Sequence, residues 1–106
     1  MFGKNKKTTG RSFRREIASK IDGKYIKCIT ERLDDGNEET IGRTGAFILK
    51  GNELLIYSEE KVIFRSIVDE TDFSELLNLG GIIIRARDIE HANTDRTLVV
   101  YYTYHI

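Results

Sequence analysis

Few side chains in this sequence could do chemistry, and their types limit what that chemistry is. Cys28 is the only cysteine among 106 residues. A thiol becomes a nucleophile when a neighbouring base or cation draws off its proton. Cys28 lies in a strand run flanked by Ile26 and Ile29 with no activating base nearby in sequence, so it reads as a small buried hydrophobe. Asp88, Glu90, His91 and Asp95 place oxygen and nitrogen donors in one polar stretch. A divalent ion takes such donors, but their spacing matches no established ligand frame, and the same residues suit a solvated loop between strands. His105 has no fixed partner to make it a general base. The acids Asp34, Asp35, Glu38 and Glu39 lack the apolar walls that would raise one carboxyl for acid–base work. They read as turn chemistry and solvation. Gly80-Gly81 leads into a strand rather than a helix, so it is no phosphate loop. On these grounds the chain reads as a non-enzyme, with no catalytic residue, no metal and no cofactor.

The remaining chemistry is cationic. Arg85 and Arg87 fall on the same side of their strand as Ile83 by period-two counting. They form a short basic strip for phosphate or carboxylate, unless carboxylates on a neighbouring strand neutralise them. The first fifteen residues carry six bases, Lys4, Lys6, Lys7, Arg11, Arg14 and Arg15, and no acid, which leaves eleven bases against seventeen acids in the rest. A basic arm of this kind touches RNA or another anion, or else is a solvated leader. We draw the leader over residues 1–11 and a single domain over 12–106.

At the start of that domain, Phe13, Ile17 and Ile21 recur at four-residue spacing, Ser12 can cap and Asp22-Gly23 stops. The pattern predicts a helix over Phe13–Ile21. Strands follow at about Lys24–Thr30, Thr40–Leu49, Leu54–Tyr57 and Lys61–Val68. Asp34-Asp35-Gly36-Asn37, Lys50-Gly51-Asn52 and Ser58-Glu59-Glu60 are the turns between them. Gly42 and Gly45 inside the second strand mark a bulge or sharp bend. Asp72-Phe-Ser-Glu75 has capping-box spacing before Leu76, Leu77 and Leu79, which predicts a second short helix over Phe73–Leu79. Two β-branched and aromatic runs close the chain, Gly80–Ile89 and Thr97–Ile106, and the last of them is expected inside a sheet. The fold class is therefore mainly β: a small single-domain barrel or strongly bent antiparallel sheet, with an N-terminal helix and one short inserted helix. The expected core is Ile26, Cys28, Phe47, Leu54, Ile56, Val62, Phe64, Ile82, Ile84, Val100 and Tyr102. No run approaches the roughly 20 apolar residues of a membrane span, and a lone cysteine favours a reducing, cytoplasmic setting.

Two resemblances rest on these residues. Asp35-Gly36 with Gly42, then Asn52-Glu53-Leu54-Leu55-Ile56, then Leu79-Gly80 with Ile84-Arg85-Ala86, resembles the Sm-like barrel, a small SH3-like fold. Ala86 stands where that family has glycine, and Leu49 where it has aspartate. The resemblance implies RNA binding with Asn52 and Arg85 in the pocket. Gly45 to Tyr57 also looks like the strand pair of a pleckstrin-homology or GRAM-like domain, which implies a phosphoinositide or membrane-surface ligand. The expectation drawn from the residues themselves is a non-catalytic interaction or assembly module. It would have an unidentified protein partner or associate with itself as a homo-oligomer. RNA contact through Lys4, Lys6, Lys7, Arg11, Asn52, Arg85 and Arg87 is the alternative, a small metal-dependent enzyme a further one, and membrane-surface contact is not expected.

Overall fold

The first regular element forms where the four-residue apolar stripe demands it. The computed structural model describes residues 10–77 and 80–102. Helix α1 (Arg11–Ile21) buries Ile17, Ala18 and Ile21 and packs Phe13 partly against the core. It begins two residues earlier than its apolar stripe predicts, with Gly10 rather than Ser12 at the N-cap and no side-chain cap. Asp22-Gly23 ends it as expected. The Asp22 N–H reaches the Ala18 carbonyl at 3.0 Å and Gly23 adopts a φ of 80°. Asp22 Oδ1 also accepts the Leu49 N–H at 2.9 Å, tying the helix end to the sheet.

Seven strands follow among the described residues: β1 (Tyr25–Arg32), β2 (Glu38–Lys50), β3 (Glu53–Ser58), β4 (Lys61–Ile67), β5 (Asp72–Glu75), β6 (Gly81–Asp88) and β7 (Thr94–Tyr101). They form one antiparallel sheet in the order β4-β3-β2-β1-β7-β6-β5. The last strand lies inside the sheet, between β1 and β6, as its unbroken apolar run predicts; residues 103–106, His105 among them, lie outside the described residues. Pairing shifts by one residue between Ile29 and Thr30 in the β1–β2 ladder, and between Ile56 and Tyr57 in the β3–β4 ladder. The extra residues are Ile41 and Ile63, and each such bulge bends its strand and sharpens the twist. Close approach of β2 to β3 depends on Gly45, where a Cβ would stand 1.8 Å from the Tyr57 carbonyl oxygen. The sheet bends until the β4 rim meets the end of β6, where the Ile89 N–H donates to the Arg65 carbonyl at 2.8 Å. It remains one strongly bent, unclosed sheet.

The core between its two arms contains Phe47, Phe64, Ile26, Leu54, Ile56, Ile82, Ile84 and Val100, as expected, with Ile29, Val68, Phe73 and Leu98 added. Cys28 and Val62 are only half-buried, and Tyr102 packs at the margin. Burial pushes the Tyr102 phenol up to about 12.

The inserted helix over Phe73–Leu79 is not what forms. A single 3-10 turn at Val68–Glu70 leads into strand β5. Phe73 pairs opposite Ile84 and is buried, with Ser74 and Glu75 opposite Ile83 and Ile82. Pairing with a buried apolar strand outweighs the local capping signal, since most helical stability in proteins comes from tertiary packing. Leu77, read as helix or core material, is fully exposed. Residues 78 and 79 lie outside the described residues.

Candidate functional site

Strand β6 sorts its side chains into two sites. Ile82, Ile84, Ala86 and Asp88 point inward, whereas Ile83, Arg85 and Arg87 point outward. On the outer side, register aligns Arg32 of β1, Thr97 of β7, Arg85 of β6 and Asp72 of β5 in one row across the sheet. Neighbouring strands lie about 4.8 Å apart, so the two arginine backbones stand roughly 10 Å apart with Thr97 between them. The row borders a depression of about 460 Å³ that Ser74 and Ile83 also line. A larger groove of about 660 Å³ continues from it, where Asp34, Glu70 and Asp95 mix with the arginines.

The ion pairs decide which cation stays available. Asp72 is held by Arg14 at 2.7 Å. Arg87 stands 3.9 Å from Asp95, both well exposed, and Arg32 stands 3.5 Å from Glu38. Arg85 is exposed and has no ion pair among the described residues. The cross-strand neutralisation weighed for Arg85 fails because its neighbour Asp72 turns to the helix instead. For Arg87 the neutralisation occurs, loosely.

The inner site is built on Asp88, which is completely buried. Oδ1 accepts the N–H groups of Arg65 at 3.1 Å and Glu90 at 2.9 Å. Oδ2 accepts His91 Nδ1 at 2.7 Å and Arg96 Nη1 at 2.6 Å. The Arg96 fork also grips Glu31, Nε to Oε2 at 2.9 Å and Nη2 to Oε1 at 2.8 Å. Burial alone would raise the Asp88 carboxyl, but the donors from Arg96, His91 and the two backbone N–H groups outweigh it and hold it below the usual carboxylate value. The hydrogen-bonded Arg96 guanidinium likewise lowers Glu31. This network closes the gap between the β4 rim and β7, using a carboxylate where a strand ladder would otherwise run. A carboxylate only accepts, so His91 carries its proton on Nδ1 and leaves Nε2 as the outward ring nitrogen. Beside it lies a pocket of about 490 Å³, with Ile41, Val62 and Ile63 as apolar lining and Lys61, His91 and Thr94 among its polar groups.

The other residues singled out by sequence are dispersed. Arg11 stands in the first turn of α1, 3.5 Å from Asp69, which also takes Arg15 at 2.8 Å. Arg15 holds the Asp69 carboxyl below its usual value. Arg14 donates to the Asp69 carbonyl as well as to Asp72. Lys4, Lys6 and Lys7 lie outside the described residues. Asn52 sits in the β2–β3 turn, its carbonyl accepting the Val68 N–H at 2.8 Å, and lines a small pocket beside Arg15 and Ala18 of the helix. Asn52 and Arg85 thus line different pockets. Of the polar run, His91 joins Asp88, while Glu90 goes to Arg65 at 3.3 Å and Asp95 to Arg87. Among the described residues no group of three or more His, Cys, Asp or Glu side chains is placed to hold a metal ion. Nor, among them, is any helix long and apolar enough to cross a membrane.

Sequence reasoning missed Arg32, Thr97 and Ser74 on the outer face, and Arg96, Glu31 and Lys61 at the inner site. One signal for the inner site was present. Ile82, Ile84 and Ala86 define the core face of β6, and Asp88 falls on that face; an ionisable group there requires partners.

No family model matches the chain, and neither a curated protein nor a solved structure matches it.

Proposed function

We propose that the chain is a non-catalytic interaction module that holds an oxyanion of a protein partner, a phosphorylated or acidic side chain, at Arg85. The observation that carries this reading is Arg85: a guanidinium in a depression lined also by Thr97 and Ser74, with no ion pair among the described residues because its neighbour Asp72 is held by Arg14. A guanidinium takes a phosphate or carboxylate through two parallel hydrogen bonds, which suits it to this task. Recognition by the sheet face also fits the state of the β4 rim, where Asp88, Ile89 and Arg96 occupy backbone groups that a partner strand would need. The free thiol of Cys28 fits a reducing, cytoplasmic setting.

An Sm-like RNA-binding role ranks second. It draws on Arg85 and on the basic N-terminal arm, but Asn52 lies in another pocket and Arg11, Arg14 and Arg15 are paired to Asp69 and Asp72. Amide-resolved NMR titration with a phosphoserine peptide, its unphosphorylated twin and a short single-stranded RNA separates the readings. The expected result is saturable shifts centred on Arg32, Ser74, Arg85 and Thr97 with the phosphopeptide, weakened about tenfold by Arg85→Ala, the loss of one charge-assisted bidentate contact. Salt-sensitive RNA binding without phosphopeptide binding would replace the first reading by the second, and silence with all three ligands would end both.

A further inference from the structure

The larger groove beside Arg85 holds two acids that the fold does not use. Each stands next to an acid that does the structural work. In the turn after β1, Asp35 accepts the Asn37 N–H on Oδ1 at 3.0 Å and the Asn37 side-chain amide on Oδ2 at 3.0 Å. Asp34 is exposed and has no ion pair among the described residues. In the 3-10 turn before β5, Asp69 takes Arg11 and Arg15 of the helix. Its neighbour Glu70 is exposed and likewise has no ion pair among the described residues. Both spare carboxylates line the same groove of about 660 Å³ as Arg85.

Their places follow from the register. Asp34 lies two residues beyond Arg32 of β1, and Glu70 two residues before Asp72 of β5. Arg32, Thr97, Arg85 and Asp72 stand in one row across β1, β7, β6 and β5, so the two acids flank Arg85, one toward each end of that row. Three strand spacings separate β1 from β5, about 14 Å along the sheet, which an extended chain covers in about four residues. The other charges of the groove are engaged: Asp72 by Arg14, Arg32 by Glu38, and Arg87 with Asp95 at 3.9 Å. One cation between two acids is left for a ligand to answer. Its complement is one anionic group with a cation on either side. A nucleic-acid strand, negative at every phosphate, would meet both acids with its own charge.

We infer, resting on the oxyanion reading of Arg85, that the partner segment is an extended one whose phosphorylated or acidic residue is flanked by lysine or arginine, the bases being taken by Asp34 and Glu70. Bases two residues to either side of the anion span the distance between the two acids. Exposed pairs of this kind are each weak, so Arg85 decides whether a segment binds, and the two acids decide which segment is chosen. A phosphorylated residue inside an acidic stretch is rejected, because like charges are brought together at both flanks. No covalent step is involved.

The test is fluorescence anisotropy on the full chain with three phosphoserine peptides of one length. They carry lysine, alanine or glutamate at the second position on each side of the phosphate, and are titrated at low and at high salt. The expected order of affinity is lysine, then alanine, then glutamate. Lysine exceeds alanine about fivefold at low salt, the scale of two exposed ion pairs, and the gap closes at high salt. In the Asp34→Asn/Glu70→Gln double variant, whose changes are exposed and nearly isosteric, the lysine and alanine peptides bind alike. Arg85→Ala weakens all three together. Equal affinity for the lysine and alanine peptides in the wild type, or a lysine preference that survives in the double variant, would overturn the inference and leave the oxyanion reading of Arg85 standing. Tighter binding of a short single-stranded RNA than of the lysine peptide would overturn it as well, and no binding of any phosphopeptide would remove both.

Discussion

Asp88→Asn changes one oxygen to an amide nitrogen and leaves volume almost untouched, so its cost measures hydrogen bonding and charge alone. The carboxylate accepts four donors, two on each oxygen. Whichever way the new amide turns, its NH₂ faces two of them, and two buried donors lose their acceptor. Each such loss costs about 1–3 kcal/mol, more where the donor is charged. Removing one partner of a buried ion pair costs about 3–5 kcal/mol. Arg96 keeps its double contact with Glu31, which places the variant at the lower end, near 3 kcal/mol. With a urea m-value of ~1.5 kcal/mol/M, the unfolding midpoint falls by about 2 M. Acid adds a second reading. Asp88 and Glu31 are both held below their ordinary values, so between the folded and unfolded pKa the unfolded chain binds more protons. Their stabilisation is complete above the unfolded values, near pH 4, and is lost as pH falls through the folded ones. Asparagine does not titrate, so the gap between wild type and variant narrows on acidification. A midpoint shift equivalent to less than about 1 kcal/mol, or a gap that stays constant down to about pH 3, would refute the role given to this carboxylate.

Two backbone predictions accompany it. Gly45→Ala drives a methyl into the Tyr57 carbonyl oxygen at 1.8 Å, and a backbone atom has nowhere to retreat. The variant is expected to lose several kcal/mol, on the order of 3–4, and a thermal midpoint within a few degrees of wild type would contradict the close approach. Glu59 and Glu60 form the two-residue turn between paired Ser58 and Lys61, at φ 51° and 71°. Glu60→Gly removes a left-handed penalty of about 1 kcal/mol, and chemical denaturation showing a destabilised protein would count against that geometry.

The strands were legible because each reads as a β-rich run between turn signals, and α1 because Phe13, Ile17 and Ile21 repeat at helical spacing. Strand β5 was not. Asp72, Glu75 and the leucines after them carry a good local helix signal, and only the tertiary pairing of Phe73 with Ile84 overrides it. The site divides in the same way. Arg85 was visible as an outward cation, but its availability depends on Arg14 drawing off Asp72, across most of the domain. Asp88 and His91 were seen as neighbours in a polar loop. Their meaning comes from Arg96 and Glu31, and nothing in a linear reading links Glu31 to a residue 65 positions later. Charge pairs of this separation leave no periodicity to find.

The order of the sheet also governs how it assembles. β1 to β4 pair in succession, as do β5 to β7, so each half zips through short hairpin loops. One strand ladder among the described residues, Cys28 with Tyr101 through Arg32 with Thr97, joins them. Its partners come from opposite ends of the domain, which makes it the contact with the largest loop to close and the natural bottleneck of folding, on the millisecond-to-second scale of non-local β topologies.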